Sequence, residues 1–206
     1  NRKCLIPALA IIGQAGAEVV SGTDAFQFNS GSGGSVLNGF ILRGRLIINT
    51  PYPSTEASRI IIANNELYDN AMDIGGVVTV LNNKFTRLVT PGNALVFRQP
   101  AIAGSPAVIF GNTFRSAFLS IQAGLVDIIN NRFDAYSPAT AAIDLPYVNS
   151  GVNYGTLKII ANVIDSCTIG MSLMNRNVSS LNRLIANNVI TNCPTGISFP
   201  SGGQDW

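Results

Sequence analysis

The sequence predicts an all-β parallel solenoid, and three observations carry that reading. Asparagine recurs in a fixed local frame, an alternating apolar segment follows each frame, and charged residues are too few for long amphipathic helices. The asparagines are Asn38, Asn65, Asn83, Asn112, Asn131, Asn162 and Asn188. Two residues after each stands a large apolar side chain: Phe40, Leu67, Phe85, Phe114, Phe133, Ile164 or Ile190. Three residues before stands a branched one, Ile62, Val80, Ile109, Ile128, Ile159 or Ile185, with Ser35 the exception. Successive frames are 27, 18, 29, 19, 31 and 26 residues apart. A constant frame with a variable return marks a coil whose strands are fixed and whose loops are not.

Three strands per coil follow from the alignment. The first precedes the asparagine, at 60–63, 78–81, 107–110, 126–129, 157–160 and 183–186. The second is short and carries the large apolar residue. The third alternates, with copies at 25–28, 45–48, 71–74, 94–97, 118–121, 142–145, 170–173 and 196–199. The second and fourth residues of each copy are apolar and point inward. The third points outward, giving the column Gln27, Ile47, Asp73, Val96, Ser120, Asp144, Ser172 and Ser198. One coil cannot bury its inward face, but stacked coils can, each strand pairing in parallel with its copy about 4.8 Å away. Asp127 with Lys158, and Glu66 with Lys84, then become cross-strand neighbours.

Composition bounds the rest. The 206 residues are enough for one substantial core, so the chain reads as one domain over 1–206. Charged residues make up 12 %, about half the usual share, and Gly, Asn, Ser and Thr carry the polar surface instead. The net charge of +2 is spread over scattered Lys and Arg, which speaks against nucleic acid as a partner. The absence of histidine removes the commonest general base and zinc ligand. Three cysteines without C-x-x-C spacing give no metal knuckle. No stretch approaches the ~18 apolar residues of a membrane span. At the N-terminus, Arg2 and Lys3 precede an apolar run that Ala15-Gly16-Ala17 follows. A signal peptide fits that pattern, but a buried strand over 9–13 ending in a turn is the favoured reading. No amphipathic helix caps the first coil, so either a segment is missing, the chain being a piece of a longer one, or another chain covers that end.

The frame Asn-x-Phe followed by an alternating Gly-Ile-Ser-Phe, as in 188–199, is similar to the repeat of the pectin-lyase-like superfamily. The resemblance extends over residues 9–199. It implies a single-stranded right-handed parallel β-helix of about seven to eight coils with an internal asparagine ladder. For function it implies little, because that superfamily holds lyases, hydrolases, epimerases, tailspikes, adhesins and structural surface proteins.

The asparagines are read as structural. The bend between the first two strands needs a residue that tolerates the left-handed region, and stacked amides can satisfy one another. Cys167 and Cys193 both lie five residues past their asparagine, so they should stack on adjacent coils, within disulfide reach. A disulfide and two stacked thiols are both open, and Cys4 is left over.

The long returns at 49–59, 98–106, 146–156 and 174–182 are where function usually sits on such a scaffold. They carry Tyr52, Arg98, Tyr147, Tyr154 and Arg176, and tyrosine rings stack on sugar faces. A catalytic set is not legible. The motifs that the resemblance implies for a polygalacturonase-like hydrolase are missing, and Asp73 and Asp144 fall about 14 Å apart at the strand spacing. Glycosidase carboxylates need roughly 5–9.5 Å. Asp69 with Asp73, and Arg115 beside Asp134, read as surface pairs. The expectation is a secreted or cell-surface structural or adhesive protein that contacts a polysaccharide or other glycan. Self-association or other chains at the coil ends are its further expected partners. No cofactor is required, with Ca2+ left open. The alternative is a polysaccharide lyase or glycoside hydrolase with loop-borne acids.

Overall fold

A computed structural model describes residues 3–4, 9–29, 32–49, 56–69, 72–88, 92–99, 106–122, 125–146, 157–173 and 183–200. Branched residues at alternate positions form the strand ahead of each asparagine. Eight such strands build one sheet: Ala10–Ile12, Val36–Asn38, Ile60–Ala63, Val78–Leu81, Ala107–Phe110, Val126–Ile129, Leu157–Ile160 and Arg183–Ala186. Each pairs in parallel with its next copy along the chain. The last six keep the bounds expected from the sequence. The apolar run near the N-terminus supplies Ala10–Ile12, a strand of this stack.

The remaining strands form a 13-stranded sheet, also parallel. It contains the short strands Glu66–Tyr68, Lys84–Thr86, Thr113–Arg115 and Val189–Thr191. In Arg132–Leu145 and Val163–Leu173 the pairing runs on from the short strand into the third one. Long parallel sheets stacked in sequence order are compatible with a β-helix solenoid. Among the described residues the only helical turn is the 3-10 turn Glu56–Ser58. It positions Arg59, whose guanidinium donates to Thr79 Oγ1 at 3.0 Å and Pro106 O at 3.1 Å, tying coils together.

The apolar alternation lands inward. Ile62, Val80, Ile109, Ile128 and Ile159 are fully buried, each worth about 1.5–3 kcal/mol of transfer free energy. Phe85, Phe114 and Phe133 stack with centroids 4.8 and 4.5 Å apart and planes within 6°. Interstrand spacing sets that separation, since the three residues are exact register partners. Register also aligns the column expected to face outward on the third strand: Gln27, Ile47, Asp73, Val96, Ser120, Asp144, Ser172 and Ser198, of which Val96 and Ser120 are buried.

Asn65, Asn83, Asn112, Asn131 and Asn162 are buried at the corner, and each amide reaches the next. Asn65 Nδ2 donates to Asn83 Oδ1 (3.0 Å), Asn83 to Asn112 (3.1 Å), Asn112 to Asn131 (3.0 Å), Asn131 to Asn162 (3.0 Å) and Asn162 to Asn188 (2.9 Å). Each accepting oxygen also takes the backbone N–H of the preceding asparagine. Each Nδ2 further faces the carbonyl two residues back and one on the coil before.

Two expectations need correction. Asn38 does not join this row. It pairs with Ala63 in register, and Phe40 holds the row position, its N–H donating to Asn65 Oδ1 at 3.0 Å. Leu42, not Phe40, is then the register partner of Leu67. The cause is Gly39, whose φ of +82° lets it turn the corner two residues later than the alignment on Asn38 assumed. A slip of two keeps inward and outward faces, so alternation alone cannot detect it. Second, the left-handed residue is not the row asparagine but the one before it: Asn64, Asn82, Gly111, Asn130, Ala161 and Asn187. A second left-handed corner closes the short strand at Asp69, Ser116, Ser166 and Asn192. Of the two states left open for Cys167 and Cys193, the structure holds two thiols with no disulfide between them. They do stack, with Cys167 N–H donating to Cys193 Sγ at 3.4 Å, but each thiol turns to its own strand, Cys167 to Asp165 O and Cys193 to Thr191 O.

Replacing Asn112 by Ala strips donors from Val80 O and Phe110 O and the acceptor from Asn83. We expect a loss of about 3–5 kcal/mol, read as a lower urea midpoint with a broadened transition, because the broken rung uncouples the coils on either side. Asn38→Ala should cost about 1 kcal/mol or less, since its one described side-chain bond, from Asn64, is exposed. Ala161 holds φ +56° without the tolerance of Gly or Asn. Ala161→Gly should therefore raise stability by about 0.5–1 kcal/mol in the same assay, strain relief outweighing added unfolded-state entropy.

Candidate functional site

Tyr52, Tyr147, Tyr154 and Arg176 lie outside the described residues, and Arg98 is described only as backbone within Gly92–Gln99. The described structure brings its functional groups together elsewhere, on the outer face of the short strands. Each short strand puts its middle residue inward and its two flanking residues outward. Successive coils thereby place on this face Glu66 and Tyr68, Lys84 and a buried Thr86, Thr113 and Arg115, Arg132 and Asp134, then Val163 and Asp165. The coil before adds Arg43, which stacks over the Tyr68 ring at 4.7 Å and pairs with Glu18.

The carboxylates of this face are held by donors. Tyr68 Oη donates to Glu66 Oε2 at 2.6 Å, and Lys84 Nζ lies 3.6 Å from the same oxygen. The tyrosine bond, then Lys84, holds Glu66 below the ordinary glutamate range, while the same bond raises Tyr68. Arg132 grips Asp134 through Nε at 3.0 Å and Nη2 at 2.8 Å, which raises the guanidinium further. Asp165 Oδ1 accepts from Thr191 Oγ1 and Asn192 Nδ2, both at 2.7 Å, and Oδ2 from Ser166 Oγ at 3.1 Å. Those three bonds, Thr191 first, depress its pKa.

Arg115 stands apart. It is the register partner of Asp134, as the sequence suggested, yet Asp134 bonds to Arg132 on its own strand. Among the described residues the Arg115 side chain has no hydrogen-bond or ion-pair partner. Its register neighbour Thr86 is buried, with Oγ1 also unpartnered. An open recess of about 550 Å³ lies here, lined by Lys84, Thr113, Arg115, Ser116, Arg132, Asp134, Asp165 and Ser166.

Two other expected pairs form. Lys158 Nζ donates to Asp127 Oδ2 at 3.1 Å, and Lys84 faces Glu66. Asp73 and Asp144 are three strand steps apart, about 14 Å. Asp69 turns its carboxylate to the N–H of Leu88. No group of three or more His, Cys, Asp or Glu among the described residues is placed to hold a metal ion. The charged face was readable in principle, since its residues occupy the positions one and three after each row asparagine.

Asp165 releases its proton more readily folded than unfolded. Below about pH 4 the unfolded chain therefore binds more protons, and stability falls as the pH drops through and below that range. Asp165→Asn should flatten this acid limb of the stability curve and leave the limb above pH 6 parallel to wild type, measured by urea denaturation at stepped pH. The chain matches no protein-family model, no curated protein and no solved structure.

Proposed function

We propose that this chain is a right-handed parallel β-helix of the pectin-lyase-like type, with seven to eight coils and an internal asparagine ladder. Its role is that of a non-catalytic structural or adhesive protein, secreted or displayed at the cell surface, that contacts a glycan. The observation that carries the proposal is the outer face of the short strands. It is a polar array in strand register, in which hydrogen bonds favour the ionised forms of Glu66 and Asp165. A glycosidase acid needs the opposite, a carboxyl kept protonated near neutral pH by a raised pKa. Ionised, immobilised carboxylates and exposed cations on a fixed register suit recognition of a hydroxyl-rich polymer better than its cleavage. The Tyr-bearing returns are a second proposed contact, and the coil ends a proposed contact with further chains.

The test is a panel of acidic and neutral polysaccharides, offered to the chain in affinity electrophoresis and assayed for reducing ends and unsaturated products. Retardation by at least one polymer without product is expected. Turnover on any polymer overturns the non-catalytic reading and installs a loop-borne hydrolase or lyase in its place.

A further inference from the structure

Building on the glycan-contact reading, we infer that the recess around Arg115 is a subsite for one carboxylate-bearing sugar unit. Three cations and two carboxylates line it: Lys84, Arg115 and Arg132 against Asp134 and Asp165. Asp134 is occupied by both donors of Arg132, and Asp165 by Thr191, Asn192 and Ser166. Lys84, at the edge of the recess, is shared with Glu66 at a loose 3.6 Å. Arg115 is left with its planar donor fork unused among the described residues. A guanidinium in that state matches a planar carboxylate through two parallel bonds.

The neighbouring acids narrow the ligand. Each carboxylate has more acceptor sites than its present donors fill, and acceptors ask for hydroxyl donors. A sugar bearing one carboxylate supplies both halves: an anion for Arg115 and hydroxyls for Asp134 and Asp165. A neutral sugar leaves the guanidinium unmatched. A densely charged polyanion meets Asp134 and Asp165 as repulsion within a few ångströms. Thr113, Ser116 and Ser166 add hydroxyls that serve as donor or acceptor.

The experiment is calorimetric titration of the full chain with size-matched glucuronate-containing, sulfated and neutral oligosaccharides. The variants are Arg115→Gln, Arg115→Lys and, as a charge-matched control, Arg45→Gln, whose residue pairs with Asp24 away from the recess. Thermal unfolding checks that all three remain folded. The glucuronate oligomer should bind most tightly. Arg115→Gln should weaken it about tenfold or more, Arg115→Lys should recover only part, and Arg45→Gln should change it less than about twofold. Wild-type affinity in Arg115→Gln overturns the subsite while leaving the glycan reading standing. Preference for the sulfated or neutral oligomer overturns the ligand class. No binding of any oligomer, together with no retardation by any polymer of the panel, removes the glycan reading and this subsite with it.

Discussion

Everything in this architecture depends on where a buried amide can find partners. The asparagines from Asn65 to Asn162 are at most 1 % exposed, so water cannot serve them. Each Nδ2 must meet oxygens and each Oδ1 must meet donors from the coils on either side, or the burial becomes costly. That demand fixes how far each coil is rotated and shifted against the next. Once the row is in place, the isoleucine column, the phenylalanine stack and the outward columns have no remaining freedom. The apolar core supplies most of the driving force, and the polar row supplies the register.

The same register decides the chemistry of the charged face. On a looser scaffold, Arg115 and Asp134 would find one another, being opposite charges on adjacent strands. Here the backbone sets both Cα positions, and Arg132, two residues along the same strand, reaches Asp134 with a two-pronged grip. A short-range choice within one strand thus leaves a longer-range cation unmatched. Local saturation of acceptors, rather than net charge, gives the face its character.

How much of this is legible in the sequence follows from periodicity. Strand bounds are legible wherever a branched run stops at Asn or Gly, as at Val126–Ile129. The outward column from Gln27 to Ser198 is legible for the same reason. Asn38 is misplaced because a shift of two residues costs nothing in alternation, and only the conformation of Gly39 separates the two registers. The left-handed residue is assigned one place late because the row asparagine and the corner residue are both frequently Asn, as in Asn64-Asn65, Asn82-Asn83 and Asn130-Asn131. Ala161-Asn162 shows which of the two turns. Cys167 and Cys193 are correctly stacked, but spacing carries no information about the direction of a thiol. The charged face goes unnoticed because its pairs look solvated when taken singly. Their significance comes from which partner each carboxylate has already accepted.

The stack of amides and rings has a consequence for how the molecule comes apart. Its contacts run overwhelmingly between neighbouring coils, so the free energy behaves as a chain of nearest-neighbour couplings. A defect in an outer coil frays that end and leaves the others bonded. A defect at Asn112 cuts the chain of couplings in its interior, and the two flanking blocks are then free to melt at separate temperatures. The location of the broken rung then sets the size of each block.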